Sequence, residues 1–290
     1  MLDKLRRNKS PKTRGGSMRA HHKPYAVYFG LAIWVMAAAF AQAADPLPPS
    51  AGPADAALLE DLVAANRILV DQGVLDGFGH VSVRHPKDAT RFLMSRSLAP
   101  ALTTPADIIE HDLDGNGITA SGRTLFLERF IHAEIYRARP DVIAIVHCHS
   151  PSLIPFSVST VPMKAMFHNS AFLAAGVPVF EIRKTGAAGP AMTDMLVSNG
   201  AIGKALAASL SDKPVVLMRG HGAVITAPTL PLAVFRAVYT EVNARMQQQA
   251  IALGGPYTAL EPEEGVKADK VNEVISARPW DLWKKKARAK

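Results

Sequence analysis

Two histidines at the end of an apolar run have the types and spacing needed to hold a metal ion. His147 and His149 follow residues 142–146, which we interpret as a buried strand. Because side chains two positions apart in an extended chain point to the same face, the two imidazoles can converge on one ion, with Cys148 facing away. A buried histidine pair can equally be structural, so a third ligand is needed to separate the two interpretations.

His221 is the candidate third ligand. It lies between Gly220 and Gly222, and flanking glycines permit unusual backbone dihedrals and close approach of other groups. Three neutral imidazoles that leave a fourth position open form a site of the catalytic zinc type. Since Cys148 is the only cysteine, neither an intrachain disulfide nor a CxxC zinc site is possible, and any metal must be held by histidine and carboxylate.

Glu128 is the candidate acid/base. It lies on a helix predicted over residues 126–139, with His132 and Tyr136 four and eight positions further along the same face. A carboxylate in a first helical turn interacts favourably with the helix dipole and needs no other role. Beside a three-histidine metal site it can instead move the proton that carbon-bond chemistry requires.

Helical and strand-like segments alternate along the chain, which predicts an α/β layered domain. Apolar residues recur at helical spacing in four segments, which we predict to be helices: residues 56–72, 126–139, 189–209 and 231–253. Short apolar or alternating runs flanked by glycine and proline predict strands in HVSVRHP, RFLMSRS, VIAIV and the two halves of PVVLMRGHGAVIT.

The net charge of +8 comes from the two ends of the chain. Residues 1–24 carry eight Lys or Arg against one Asp, residues 278–290 carry six against one, and the remaining residues sum to −4. A mildly acidic body gives no indication of a nucleic-acid partner and leaves a small-molecule substrate as the expectation. The length of 290 residues and a hydrophobic content of 48% allow one sizeable core.

The N-terminal residues have the order of an export signal. A basic stretch is followed by an uncharged run from Tyr25 to Ala43 that ends in Ala-Gln-Ala, an AxA-type cleavage site. An uncleaved membrane anchor is the alternative, because this apolar run approaches the ~20 residues needed to span a bilayer. We divide the chain into a basic leader with signal peptide (1–43), a Pro-rich linker (44–55), a catalytic domain (56–277) and a basic C-terminal tail (278–290).

We predict that the protein is exported to the periplasm and that the mature chain begins at Ala44 or close to it. The basic, apolar and small-residue order of the leader is the reason. N-terminal sequencing of protein from the native host tests this. A chain that begins at Met1 or Met18 would contradict cleavage, and an intact chain in the membrane fraction would support the anchor.

The order of the motifs resembles the class II aldolase/adducin family. LFLERFIHAEIYRARPDVIAIVHCHSP, followed roughly seventy residues later by MRGHGAVI, carries this resemblance, which covers about residues 58–253. It implies a three-layer α/β/α domain with a largely antiparallel central sheet. It also implies a homotetramer with active sites between neighbouring subunits.

The resemblance also assigns roles. Position by position, His147, His149 and His221 match the metal ligands of the family, and Glu128 matches its catalytic acid/base. The implied cofactor is one divalent metal per subunit, with zinc expected first and manganese, cobalt or magnesium as alternatives.

Three departures from the sugar-phosphate members of the family bear on the substrate. Those members hold the substrate phosphate with a Gly-Asn-Val-Ser turn, a Thr-Pro-Ser/Thr-Gly turn and a Ser-Ser pair before the glutamate. The corresponding stretches here are Gly79-His80-Val81-Ser82, SRSLAP at 95–100 and Leu125-Phe126-Leu127. Apolar side chains cannot compensate the desolvation of a phosphate, so we expect a non-phosphorylated substrate.

The three stretches found here are more similar to those of family members that decarboxylate hydroxylated aromatic or ring-cleavage carboxylic acids. In that interpretation His80 and Arg96 contact a substrate carboxylate, and Ser82 donates a hydrogen bond. Arginine suits bidentate recognition of a carboxylate, although an ordinary salt bridge is the alternative for Arg96. His168 is a further candidate for substrate binding, near the subunit boundary of relatives.

The expected reaction breaks a carbon–carbon bond through a metal-stabilised enolate. Decarboxylation of a non-phosphorylated hydroxy, oxo or hydroxyaromatic acid is the first hypothesis. Aldol cleavage or epimerisation of a hydroxycarbonyl compound is the second. A non-catalytic interaction module like the adducin head domain is the third, and the retention of all three histidines and of Glu128 argues against it.

Overall fold

A central sheet with helices on both faces makes up the described part of the chain. The structure, a computed structural model, describes residues 46–186 and 193–288. Its strands are β1 (His80–Arg84), β2 (Arg91–Ser95), β3 (Ile108–Asp112), β4 (Ala144–Cys148), β5 (Val179–Phe180), β6 (Val215–Met218) and β7 (Gly222–Ala227). Its α-helices are α1 (Ala56–Asp71), α2 (Arg129–Ala138), α3 (Ile154–Val158), α4 (Gly200–Leu210), α5 (Leu230–Ala252), α6 (Pro262–Ile275) and α7 (Ala277–Arg288).

The sheet has the order β3-β2-β1-β4-β7-β6-β5. Every neighbouring pair is antiparallel except β5 with β6. This confirms the largely antiparallel α/β sheet implied by the family resemblance. Because β1 and β4 are neighbours and His80 pairs in register with His147, these two side chains lie side by side on one face of the sheet.

Side chains of each strand alternate between two apolar layers, which makes the domain three-layered. On one face, Val81 and Val83 of β1 contribute to a core with residues of α1, α5 and α7. On the other face, Phe92 of β2 and Ile145 of β4 pack with residues of α2 and α4. Complete burial of such side chains stabilises the fold by about 1.5–3 kcal/mol each.

The helix predicted over residues 189–209 starts later than the apolar pattern suggested. α4 begins at Gly200, because the side-chain oxygen of Asn199 accepts a hydrogen bond from Ile202 N–H at 3.0 Å and caps the helix. Residues 193–199 are not helical. The prediction was therefore wrong for this stretch, and residues 189–192 of the expected helix lie outside the described residues.

The other predicted helices are confirmed with small changes of boundary. The segment at 56–72 corresponds to α1 and the segment at 231–253 to α5. α2 begins at Arg129 and not at Phe126, so Glu128 is the residue that immediately precedes the helix.

The segment named from its composition as a basic C-terminal tail, residues 278–290, coincides with most of α7. Trp280 and Trp283 are buried in the same core as residues of α1 and α5. Lys284 forms an ion pair with Asp61 of α1. α7 is thus part of the core of the domain, with its basic residues on the outer side.

The leader, residues 1–43, lies outside the described residues. The described part of the linker begins at Pro46, and Ala51 N–H donates a hydrogen bond of 2.9 Å to Glu110 of β3. Among the helices of the described residues, none is long and apolar enough to cross a bilayer.

Candidate metal centre and active site

The three predicted metal ligands and the predicted acid/base converge at one end of the central strands. His147 lies near the end of β4, and His149 follows that strand. His221 lies in the tight turn between β6 and β7, and Glu128 precedes α2. One donor atom from each of the four lies within 4.8 Å of the others.

The Nε2 atoms of the three histidines face a common centre. His149 Nε2 is 3.0 Å from His147 Nε2 and 2.9 Å from His221 Nε2. Glu128 Oε2 lies 3.3 Å from His147 Nε2 and 3.4 Å from His221 Nε2. Nitrogens that bind one tetrahedral zinc at about 2.0–2.1 Å are roughly 3.3 Å apart, so the protein holds the donors at nearly the spacing that such an ion requires.

Backbone carbonyls fix the tautomers of two of these histidines. The Nδ1–H of His147 donates to Ala223 O at 3.1 Å, and the Nδ1–H of His221 donates to Met195 O at 2.8 Å. A carbonyl oxygen only accepts, so in both rings the lone pair is on Nε2. Lone pairs that point at one another are stabilised by a cation between them. The donor set therefore fits a divalent metal.

The segment before α4 supports both Glu128 and His221. Val197 N–H donates to Glu128 Oε1 at 2.9 Å, while Met195 supplies the carbonyl that orients His221. Met195 has a φ of 68°, in the left-handed region, which costs a non-glycine residue about 1–3 kcal/mol. The fold accepts this strain at a position that orients a predicted metal ligand.

Two glycines allow backbone segments to approach closely beside the centre. A Cβ atom on Gly222 would lie 2.0 Å from the carbonyl oxygen of Cys148. A Cβ atom on Gly79, which has a φ of 88°, would lie 2.8 Å from the carbonyl oxygen of His147. Any side chain at either position would displace the end of β4 and with it the histidines.

Burial and neighbouring groups act in opposite directions on the ionisation of the centre. Burial raises the pKa of Glu128, but hydrogen bonds and charge interactions with His147 and His221 lower it by more, so that the net pKa is well below its usual range. Burial, together with the charges of its two histidine neighbours, lowers the pKa of His149 to about 4. The pKa of His221 is raised, because burial lowers it but Glu128 and the hydrogen bond to Met195 O together raise it by more. Glu128 is therefore a carboxylate at neutral pH, which can accept a proton.

A cavity of about 440 Å³ opens beside the centre. Apolar side chains dominate its walls, and the lining residues are Gly77, Phe78, Gly79, His80, Ser97, Leu98, Ala99, Phe126, Leu127, Glu128, His147, His149 and Leu196. Phe78 stacks on His149 with ring centroids 6.1 Å apart. Among the described residues that line the cavity, none is lysine or arginine.

The four predicted substrate contacts occupy different environments. His80 lines the cavity, whereas Ser82 lies further along β1 and is completely buried. Arg96 does not line the cavity, and its Nε donates to Asp107 at 2.6 Å. His168 is exposed on a 3-10 helix and lies outside the cavity lining of the protomer. Contact of Arg96 or His168 with substrate stays a prediction.

Two further residues join the site, and sequence analysis gave them no function. His132 and Tyr136 on α2 form buried hydrogen bonds with Ser82, and His132 also bonds to His80. Their spacing from Glu128 placed them on its face of the helix. What sequence could not show was that β1 lies across from that face.

The family model for the Class II Aldolase and Adducin N-terminal domain matches residues 60–248. The chain belongs to the class II aldolase/adducin family. Among its relatives in this family, the decarboxylase tropJ of Talaromyces stipitatus is 34% identical over 241 residues, which cover 76% of this chain and 90% of that protein. The 3,4-dihydroxyphthalate decarboxylase of Arthrobacter keyseri is 30% identical over 211 residues, 68% of this chain and 79% of that protein.

Solved structures of the class II aldolase/adducin family share the fold. The L-fuculose 1-phosphate aldolase from Glaciozyma antarctica superimposes with a TM-score of 0.67 at 24% identity, covering 84% of this chain and 94% of that chain. Family members thus include both decarboxylases and aldolases, which are lyases.

Proposed function

We propose that this protein is a metal-dependent decarboxylase of a non-phosphorylated hydroxyaromatic, hydroxy or oxo carboxylic acid. The observation that carries the proposal is the apolar wall beside the metal-type cluster, where Phe126 and Leu127 adjoin Glu128. A phosphate that loses its water against these side chains would pay a desolvation cost that nothing offsets. No lysine or arginine is among the described lining residues. An aromatic ring would instead be stabilised by the same surface.

The relatives support the same choice. The two curated relatives described above are decarboxylases by name, and one of them acts on a dihydroxylated aromatic dicarboxylic acid. The chain covers most of the length of both, so the comparison concerns the whole catalytic domain. The aldolase from Glaciozyma antarctica shares the fold at lower identity, and the substrate in its name is a sugar phosphate.

The metal would be held by His147, His149 and His221. Because the three ligands are imidazoles, zinc is the metal expected first. A bound divalent cation supplies Lewis-acid chemistry, drawing off the negative charge that develops on substrate oxygens when the carbon–carbon bond breaks. The backbone carbonyls that orient His147 and His221 keep both Nε2 lone pairs available for it.

Glu128 moves the proton. As a carboxylate it accepts the proton of a substrate hydroxyl and returns it to the carbon that carries the carboxylate. The bond to the carboxylate carbon then breaks, carbon dioxide leaves, and the bonding electrons remain on the ring as a phenolate. Val197 N–H holds Oε1, which leaves Oε2 as the oxygen directed at the reacting centre.

We expect metal-loaded protein to release carbon dioxide from one or more members of a panel of hydroxylated aromatic acids that includes 3,4-dihydroxyphthalate. Removal of the metal with a chelator should abolish the release, and re-addition of zinc should restore it. When the reaction runs in heavy water, deuterium in the product at the carbon that lost its carboxylate reports the protonation of that carbon.

The assay also separates the alternatives. Cleavage or epimerisation of a hydroxycarbonyl compound without carbon dioxide release would show an aldolase or epimerase, which the same metal chemistry can support. A non-catalytic adducin-like module would be favoured by purified protein that contains less than stoichiometric metal. Such protein would act neither on the hydroxylated aromatic acids nor on hydroxycarbonyl compounds.

A further inference from the structure

Two of the three predicted metal ligands lie outside the hydrogen-bond ladder of the sheet. His147 is paired within β4 with residues of both neighbouring strands. His149 comes one residue after the last pair of β4, and His221 lies in the turn between β6 and β7, outside any pair. The position of His149 relative to His221 therefore depends on contacts other than those of the sheet.

A single segment, residues 149–158, connects these two ligands. It begins with His149 and ends in α3, where Ser157 lies. Gly220 N–H, next to the other ligand, donates a hydrogen bond of 2.9 Å to Ser157 Oγ. The Ser157 hydroxyl in turn donates to Ile154 O at 2.8 Å. Both bonds have one possible direction, because a backbone N–H only donates and a carbonyl oxygen only accepts.

The Ser157 hydroxyl supplies the acceptor that the turn between β6 and β7 lacks. The backbone N–H groups of Arg219 and His221 donate to backbone carbonyls. Gly220 N–H has no other acceptor among the described residues. Gly220 has a φ of 62°, in the left-handed region, and Ser157 is buried. Removal of the hydroxyl would leave this N–H without a partner, so the turn would relax towards another arrangement.

The segment that carries Ser157 is itself fixed to the core of the domain. Leu153 and Phe156 are buried in the core that also contains residues of α1 and α5. At the start of the segment, the Ser150 hydroxyl donates a hydrogen bond to the buried carboxylate of Glu241 on α5. The Ser157 hydroxyl therefore has a defined position, from which it can hold the turn.

The ring and the backbone of His221 are held at different points. Met195 O accepts a hydrogen bond from Nδ1–H of the ring at 2.8 Å, and the bond from Gly220 to Ser157 holds the backbone from which the ring projects. The two contacts together set the position of Nε2, which lies 2.9 Å from Nε2 of His149. Loss of a residue that orients a metal ligand from outside typically weakens metal binding about 10–100-fold.

We propose that Ser157 is a positioning residue of the metal centre, which holds the turn that carries His221 at the distance from His149 that a bound divalent ion requires. This inference rests on the proposed function for the presence of the metal. It extends that function by assigning part of the metal affinity to a residue outside the ligand set and outside the cavity lining. Loss of the hydroxyl should weaken zinc binding although every donor atom remains.

Ser157→Ala is expected to raise the dissociation constant for zinc about 10–100-fold. The affinity of metal-free protein is measured by competition with a chromogenic zinc chelator. The melting temperature with and without zinc is a second measurement, because an ion that binds only the folded state stabilises it according to its affinity. We expect a smaller zinc-induced rise in Ser157→Ala than in the unmodified protein. A merely structural role would lower the melting temperature equally with and without zinc.

Ser276→Ala is the matched control. Ser276 is 5% exposed, as is Ser157, and its hydroxyl likewise donates to the backbone carbonyl three residues earlier, that of Glu273, at 2.9 Å. This is the only hydrogen bond of its side chain among the described residues. Ser276→Ala should lose stability and keep the zinc affinity of the unmodified protein. Ser157→Thr, which retains a hydroxyl, should bind zinc more tightly than Ser157→Ala.

Equal zinc affinity in Ser157→Ala and the unmodified protein would overturn the proposal, and so would an equal loss in Ser276→Ala. Circular dichroism identifies a variant that has not folded. If Ser157→Ala is such a variant, Ser157→Cys decides by the same two measurements, because a thiol has nearly the size of a hydroxyl and is a weak acceptor.

The zinc measurements need no substrate, which separates this inference from the proposed function. Zinc binding that depends on Ser157, in a protein that decarboxylates no acid of the panel, would support the inference and contradict the proposed function. Decarboxylation with zinc affinity independent of Ser157 would do the reverse. A protein that binds no zinc would contradict both.

Discussion

Replacing Glu128 with glutamine is expected to lower kcat by at least about a hundredfold, the lower end of what a general acid–base group contributes. The amide has the same shape and can still accept the hydrogen bond from Val197 N–H at Oε1. It cannot carry a proton between a substrate hydroxyl and the reacting carbon. Turnover, bound metal and KM should be measured together, and we expect metal content and KM to change little.

Glu134→Gln is the control for Glu128→Gln. Glu134 lies on the same helix and pairs with Arg137 near the surface, outside the cavity lining. It should retain turnover. Loss of metal in Glu128→Gln would show that the carboxylate is a ligand. A fully active, metal-loaded Glu128→Gln protein would mean that another group supplies the proton.

Substituting alanine for His147, His149 or His221 is expected to remove most of the bound metal and most of the activity in each case. Each substitution deletes one of three Nε2 donors, of which that of His149 lies within about 3 Å of the other two. Two remaining imidazoles hold a divalent ion far more weakly than three. Elemental analysis of the purified variants gives the metal content, and thermal unfolding shows whether they fold.

His85→Ala provides the comparison for loss of a buried histidine. His85 is 2% exposed and bonds to Gly52 O, away from the donor cluster. It should lose stability and keep its metal. Full metal content in any one of the three cluster variants would show that the histidine concerned is not a ligand.

The parts of the site that sequence predicted are those set by local geometry. The alternation of side chains in a strand was enough to place His147 and His149 together. Glycine neighbours identified His221, and helical spacing placed His132 and Tyr136 on the face of Glu128. The apolar periodicity gave the major helices for the same reason, since each helix buries one face.

The parts that sequence missed depend on contacts between distant segments. Nothing local to β1 indicates that β4 is its neighbour, so the pairing of His80 with His147 and the burial of Ser82 under α2 were not foreseen. The start of α4 depends on a single capping interaction of Asn199, which an apolar pattern does not encode. The pairing of Arg96 with Asp107 is the ordinary salt bridge that the sequence had left open as the alternative to a substrate contact.

The position of α7 has a consequence for how the molecule is made. Trp280 and Trp283 complete a core whose other members include residues of α1, more than two hundred positions earlier in the chain. During synthesis this core stays incomplete until α7 has been translated, because both tryptophans come from that helix. Such a long sequence separation also makes its closure a slow step. A chain that ended before Trp280 would lack both indole rings and would leave apolar residues of α1 uncovered.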